Sequence, residues 1–330
     1  MSKFLHHNLS QPIASAARGG VIAIGNFDGV HRGHQTVLDK ARAIAAKNNV
    51  PCYALSFEPH PRTLFRPDHP VFRLTPEALK ARVLEAAGID GLLTLPFTRD
   101  LASTSADEFV EQFLLQSAGA SHVVTGFNFH FGKDRVGTPE FLTNAGKTKG
   151  FGVTIVDAFG DEGDGVEDVI SSSRIRRLLG AGGVNNAAKL LGFRWGVSGE
   201  VIKGAQLGRT LGFPTANLSL PESCHLKQGI YAVRLRRQNG ILYDGVASFG
   251  RRPTFDDGPA LFETFIFDFS EDIYGEQIDV ALFAYQRGEI KFDGIEPLIE
   301  QMKNDAQIAR DTLSKVKPLS ALDSRLNFKP

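Results

Sequence analysis

A chain of 330 residues is longer than one hydrophobic core usually organises, so two domains are expected. Apolar residues at 42% and charged residues at 22% describe a folded chain and exclude a disordered one. Lys+Arg and Asp+Glu both number 37, and the resulting zero net charge excludes a general pull toward nucleic acid or an anionic membrane.

The first half of the chain alternates between two periodicities. Strands are predicted at 21–24, 52–57, 92–95, 122–125 and 153–156, with helix-like stretches between them. The first helix runs from a glycine-bearing turn at 25–34 to the neighbourhood of Asn48. Another is expected to start at Thr75-Pro76, with a capping hydroxyl and proline in the first helical position. A third opens on Ser105-Ala106-Asp107-Glu108, a capping-box sequence. This alternation predicts a Rossmann-like α/β domain: a parallel sheet covered on both faces, with ligands at the carboxyl ends of its strands.

The rhythm changes after Gly180. Residues 181–186 read as a loop and 187–191 as a short helical piece. Strands then follow at 197–203, 231–237, 242–248, 262–267 and 278–285, separated by turns rich in Gly, Pro and Asp, which predicts an antiparallel β-barrel or sandwich. Ile295, Leu298, Ile299, Met302, Ile308, Leu313 and Val316 recur at helical spacing, so a C-terminal helix is expected to close the barrel with that stripe. The tail after Ser320 is expected to be loosely held. The domains are read as 1–184 and 185–330. No apolar run is long enough to span a bilayer, and residues 1–11 lack a signal-peptide core, so secretion is not expected and the protein is assigned to the cytoplasm. Cys52 and Cys224 form no ligand-spaced cluster and are expected to be reduced thiols.

The stretch Gly25-Asn26-Phe27-Asp28-Gly29-Val30-His31-Arg32-Gly33-His34 lies where the first strand hands over to the first helix. Backbone N–H groups and the positive end of the helix dipole point outward there, which suits phosphate. His31 and His34 share one face of the first turn and are expected to be exposed imidazoles that carry charge near neutral pH. A second anion-type motif, Ile170-Ser171-Ser172-Ser173-Arg174-Ile175-Arg176, opens a later helix. Serines in that position usually cap the helix, but hydroxyls followed by guanidinium forks also match phosphate oxygens. His60, between two prolines, either lines a ligand or fills a rigid turn. Asn144-Ala145-Gly146-Lys147-Thr148 resembles the end of a Walker A loop, but Phe141 stands where its first glycine belongs, and the segment reads as an ordinary helix.

Together the two motifs resemble the nucleotidylyltransferase superfamily. With Phe57-Glu58-Pro59-His60-Pro61 and Gly126-Phe127-Asn128-Phe129-His130-Phe131-Gly132-Lys133, they are similar to the FMN adenylyltransferase module of bacterial bifunctional riboflavin kinase/FAD synthetases. The second half carries Gly208-Arg209-Thr210-Leu211-Gly212-Phe213-Pro214-Thr215-Ala216-Asn217, Gly229-Ile230-Tyr231-Ala232-Val233 and Gly250-Arg251-Arg252-Pro253-Thr254-Phe255. Glu263, Asp268 and Tyr274-Gly275 follow, and the series resembles the riboflavin kinase module in order. The resemblance runs from about Gly20 to about Arg310.

It implies two ATP-dependent steps: riboflavin to FMN, then FMN to FAD with release of pyrophosphate. In the first domain it implies that His31 and His34 contact the ATP phosphates, that Gly25, Phe27 and Asp28 shape the cradle, that Ser172 and Arg176 hold the phosphates, and that Asn128 lines the site. In the second it assigns a general base to Glu263 and nucleotide and Mg²⁺ contacts to Gly208, Thr215 and Asn217. Strand alternation puts Glu263 on one face with Leu261, Phe265 and Phe267, so a carboxylate is expected on an apolar face. Small departures are Ser173 where the family usually has threonine, Ala205-Gln206 where a charged residue is frequent, and Ala247-Ser248 where asparagine is common. The alternatives are an adenylyltransferase with a weak or inactive kinase domain, a non-catalytic flavin carrier, and a transferase for another phosphorylated substrate.

Overall fold

Val21–Ile24 (β2) is buried at every position, and Cys52–Glu58 (β3) and Gly91–Pro96 (β4) at every position but the last. Continuous apolar runs of this kind belong to a sheet covered on both faces. Leu5–Asn8 (β1), His122–Gly126 (β5) and Gly152–Val156 (β6) complete it in the order β1-β4-β3-β2-β5-β6, with every pairing parallel. The computed structural model describes residues 4–159, 170–204, 207–250 and 260–329, and divides the chain into two units, Met1–Ser172 and Ser173–Pro330. The first unit holds this sheet with Arg32–Asn48 (α1), Glu77–Ala86 (α2) and Pro139–Lys149 (α3).

The five predicted strands of this unit are present. β1 was not expected, because Leu5-His6-His7-Asn8 has no apolar run; it is an edge strand, alternately half-buried and exposed, held by its pairing with β4. The capping box at Ser105 forms as expected, with both of its reciprocal hydrogen bonds. The Walker-like segment lies inside α3. One helix start differs: Pro76 is the capping position of α2 and Glu77 its first residue. The Thr75 hydroxyl is engaged elsewhere, accepting the Gly29 N–H at 2.8 Å. Chain order carries β2, β3 and β4 to one side and places β5 and β6 on the other. The sheet therefore switches direction beside β2, where open α/β sheets bind ligands at their carboxyl edge.

In the second unit Ser172–Gly180 (α4, which begins on the last residue of the first unit) and Val184–Leu191 (α5) precede the strands. Residues 184–186, read as loop, are thus helical. Gly196–Glu200 (β7), Thr215–Ser219 (β8), Gly229–Arg236 (β9), Leu242–Gly250 (β10), Leu261–Ile266 (β11) and Gln277–Arg287 (β12) pair antiparallel in the order β7-β12-β9-β10-β11-β8. The Ile202 N–H donates to the Asn217 carbonyl at 2.9 Å, bridging the chain beyond β7 to β8 and nearly closing the barrel.

Ile295–Leu313 (α6) is the expected C-terminal helix, and the expected stripe holds in part: Leu313 and Val316 pack on the barrel core and Leu298, Ile299 and Met302 are half-buried, but its two other isoleucines are not. Ile295 is 61% and Ile308 42% exposed, while Asp305, Ala306, Ala309 and Leu313 are buried. Alanines let the helix approach the sheet closely, and the buried Asp305 carboxylate takes a bidentate pair from Arg287. Nor is the tail loose. Ala321–Asn327 (α7) buries Leu322, Asp323, Leu326 and Asn327. Arg194 and Asp323 form an ion pair beneath it, and the Arg194 guanidinium stacks on Phe283 and Phe328.

Candidate active sites

The turn after β2 is built on unusual backbone. Phe27 (φ 45°), Gly29 (φ 90°) and Val30 (φ 42°) all occupy left-handed conformations, which cost non-glycine residues about 1–3 kcal/mol each. The Phe27 and Val30 side chains are sunk in the core, and this burial holds the backbone in place. Asp28, 1% exposed, fixes the turn from inside: its Oδ1 accepts the Leu74 and Thr75 N–H groups at 2.9 and 3.0 Å. Arg73 Nε stands 3.7 Å from the same oxygen, and the Arg73 guanidinium also forks onto Glu58 at 2.6 and 2.9 Å. Gly25 leaves room for the Phe27 ring, which a Cβ there would meet at 3.2 Å.

His31 caps α1: its Nδ1 accepts the His34 N–H at 3.3 Å, so that nitrogen carries no proton. The two imidazoles stack, with centroids 3.7 Å apart and planes inclined by 16°. The expectation of two exposed, charged rings is therefore corrected. His31 is 7% exposed, and burial, then His31 and then Lys80, push the His34 pKa well below its ordinary value, so His34 is neutral at pH 7. The His34 Nδ1 is buried without a hydrogen-bond partner.

The late motif meets this turn. Ser172 Oγ donates to the Asp28 carbonyl at 2.8 Å across 144 residues of chain. Arg176 lies one turn further along α4 on the same face and is half-buried. Asn128 is exposed in the turn that follows β5, the strand beside β2. His60 caps the short helix Pro61–Phe65, its Nδ1 accepting the Arg62 N–H at 3.2 Å. The acid-rich loop before Ile170 lies outside the described residues.

In the barrel, Glu263 on β11 stands opposite Asn217 of β8 on one side and Ser248 of β10 on the other, while Thr215 stands opposite Phe265. Register therefore gathers Glu263, Asn217, Thr215 and Ser248 on one face. Asn217 is 3% exposed, and the Thr215 hydroxyl lies 3.5 Å from its Oδ1. The alternation expected for Glu263 holds for Leu261 and Phe265, which share its half-buried face, while Phe262, Thr264 and Ile266 are buried on the other. The strand ends at Ile266, so Phe267 is not part of its alternation. Gly208 has no room for a side chain, since a Cβ would fall 2.3 Å from the Phe213 carbonyl oxygen; the same vector points toward Thr215. Residues 251–259 and 205–206 and the Arg209 side chain lie outside the described residues, and with them Arg251, Arg252, Pro253, Thr254, Phe255 and the Ala205-Gln206 departure.

Family comparison agrees with this division. A family model described as FAD synthetase matches residues 13–174, and one described as riboflavin kinase matches 191–313. The bifunctional riboflavin kinase/FMN adenylyltransferase of Listeria monocytogenes is 38% identical over 300 residues, covering 90% of this chain and 93% of that one. The chain belongs to the bifunctional riboflavin kinase/FMN adenylyltransferase family. The Pseudomonas fluorescens enzyme of the same name is 39% identical (89% and 93% covered), and that of Escherichia coli K12 36% identical (94% and 97% covered). A solved chain from Streptococcus pneumoniae, described as a macrolide-efflux protein, superposes with a TM-score of 0.78 at 34% identity, covering 92% of this chain and 97% of that one. No helix among the described residues is long and apolar enough to cross a membrane. As a family member the protein uses ATP to phosphorylate riboflavin to FMN and to adenylylate FMN to FAD.

Sequence reasoning singled out the motif residues of this bifunctional enzyme but missed their supports. Thr75, Arg73 and Lys80 arrive from the stretch before α2 and from α2 itself, more than forty residues after the turn they brace. Only the threonine carried a local signal, and it was read as a helix cap.

Proposed function

We propose that the turn at 25–34 is the ATP phosphate cradle of the adenylyltransferase and that the β8–β11 face is the kinase centre. The Ser172–Asp28 hydrogen bond carries the first assignment, because it joins two motifs that are each only moderately specific alone. In this reading an FMN phosphate oxygen attacks the α-phosphorus of ATP, the bond to the leaving pyrophosphate breaks, and no covalent enzyme intermediate forms. Gly25, Phe27 and Asp28 shape the cradle. Neutral His34 and its stacked partner His31 act as hydrogen-bonding groups to the transferring phosphate, and Ser172, Arg176 and Asn128 hold the nucleotide.

In the kinase centre, Glu263 accepts the proton of the riboflavin 5′-hydroxyl as that oxygen attacks the γ-phosphorus and ADP departs. Thr215 and Asn217 offer two neutral oxygens side by side, a donor set that suits a hard cation completed by substrate phosphates, with Gly208 flanking the nucleotide. Mg²⁺ bound there would supply neutralisation of the phosphate charge. We place the functional border at the 184/185 boundary read from the sequence, a reading supported by the gap between the two family matches, 175–190. Use of ATP in both steps and two free cysteines support a cytoplasmic enzyme. Nothing observed favours an inactive kinase.

Incubation with riboflavin, ATP and Mg²⁺, followed by chromatography, tests the assignment. Wild type should yield FMN and then FAD. His31→Ala/His34→Ala should stop at FMN, and Glu263→Gln should convert supplied FMN to FAD while losing about 10²–10⁴ in kinase turnover. FAD formation at the wild-type rate by the histidine variant would overturn the cradle, and full kinase turnover without Glu263 would overturn the base.

A further inference from the structure

Lys80 is the one buried lysine among the described residues, 1% exposed in the middle of α2. Its Nζ donates to the Asn26 carbonyl at 2.9 Å and to Ser56 Oγ at 2.7 Å, and Ser56 Oγ donates to the same carbonyl at 2.9 Å. One ammonium thus ties the carboxyl end of β3 to the peptide that opens the 25–34 turn. A planar trans peptide sends its N–H opposite to its carbonyl. With the Asn26 carbonyl held against the ammonium, the Phe27 N–H points away from it, off the buried side of the turn.

We infer that Lys80 is a positioning residue for adenylyl transfer, orienting the Asn26–Phe27 peptide and placing a fixed positive charge beneath the nucleotide phosphates. This rests on the cradle reading above. A buried charge is costly unless something compensates it, and methionine would fill the same space without that cost. The groups that face it are Asp28 and Arg73 from the turn and its brace, Glu58 from β3, Glu77 from α2 and His34 from α1. Burial and then Arg73 push the Lys80 pKa down to about 8, against the pull of Glu58, Asp28 and Glu77. Lys80 in turn helps to keep His34 neutral, so the charge sits below the cradle and a neutral His34 sits in it.

The charge gives the test two trends of opposite sign. A lysine pKa that falls from an ordinary 10.5 to about 8 on folding makes the first unit more stable as pH rises between those values, because the unfolded chain still binds the proton. Over the same rise the ammonium under the phosphates is lost, and the ATP KM for FAD formation should climb. Lys80→Met should raise that KM roughly tenfold or more at pH 7, change kcat less, and abolish both pH trends. Ser56→Ala, which leaves the bond to Asn26, should shift KM in the same direction by less and serves if Lys80→Met does not fold. Riboflavin phosphorylation by the same samples is the internal reference. A stability trend with an ATP KM that stays flat with pH and unchanged in these variants would reduce Lys80 to a structural residue. If His31→Ala/His34→Ala also left FAD formation intact, the cradle reading itself would fall; if that variant lost it, only the Lys80 inference would.

Discussion

Asp28 shows how much of an active-site loop is decided by a residue that faces inward. One carboxylate oxygen satisfies two backbone N–H groups from Leu74 and Thr75, in surroundings that exclude water. Replacing Asp28 with alanine leaves both donors buried and unpaired, at about 1–3 kcal/mol each. The left-handed backbone at Phe27 and Val30 then loses its brace. The expected result is a first unit that unfolds at lower denaturant and an ATP KM for FAD formation several-fold above wild type, with riboflavin phosphorylation unchanged. Chemical unfolding and separate assays of the two steps check this; an unaltered KM would deny Asp28 any part in shaping the cradle. The glycines, histidines and serines of the site were legible because each sits in a local pattern. Their exposure and charge were not. Burial of the His34 ring, the stacking of His31 on it and the presence of Lys80 depend on packing, and together they hold the His34 pKa well below its ordinary value.

Elements follow the same division. Apart from β1 and β8, which were not predicted, strand positions came out of the sequence to within a residue or two at most ends, because alternation and apolar runs are local. The tail did not. Residues 321–327 have too few apolar positions to announce a buried helix, and α7 is held instead by arginines from the barrel. Arg194 pairs with Asp323, Arg234 donates to the Asn327 carbonyl, and Arg236 donates to the Leu326 carbonyl. The Arg194 and Arg234 guanidinium groups also lie over Phe283 and Phe328. Asp323→Ala leaves the Arg194 side chain, only 9% exposed, without its counter-charge. Breaking a buried pair in this way costs about 3–5 kcal/mol, so the second unit should lose that much stability in denaturant titration. Asp323→Ala/Arg194→Met removes both charges and should recover most of it. If the single variant were as stable as wild type, α7 would be an ornament on the barrel and not a strap.

At the scale of the whole molecule, the change from parallel to antiparallel rhythm marked two units, but the sequence put their border in the glycine-rich stretch at 181–186. The structure assigns α4 from Ser173 onward to the second unit. Leu179 is fully buried, its carbonyl accepts the Lys227 N–H at 3.1 Å, and a Cβ on Gly180 would meet the His225 carbonyl oxygen at 3.2 Å. The second half of α4 therefore belongs to the core of the barrel unit, although the serine that opens the helix serves the first. Two fragments separate the possibilities. A fragment of residues 173–330 keeps this packing, whereas 185–330 loses the Leu179 side chain, whose burial contributes about 1.5–3 kcal/mol. The longer fragment should phosphorylate riboflavin and unfold at a clearly higher urea concentration than the shorter one. Equal midpoints would mean that α4 contributes nothing to the barrel and that the border lies where the glycines put it.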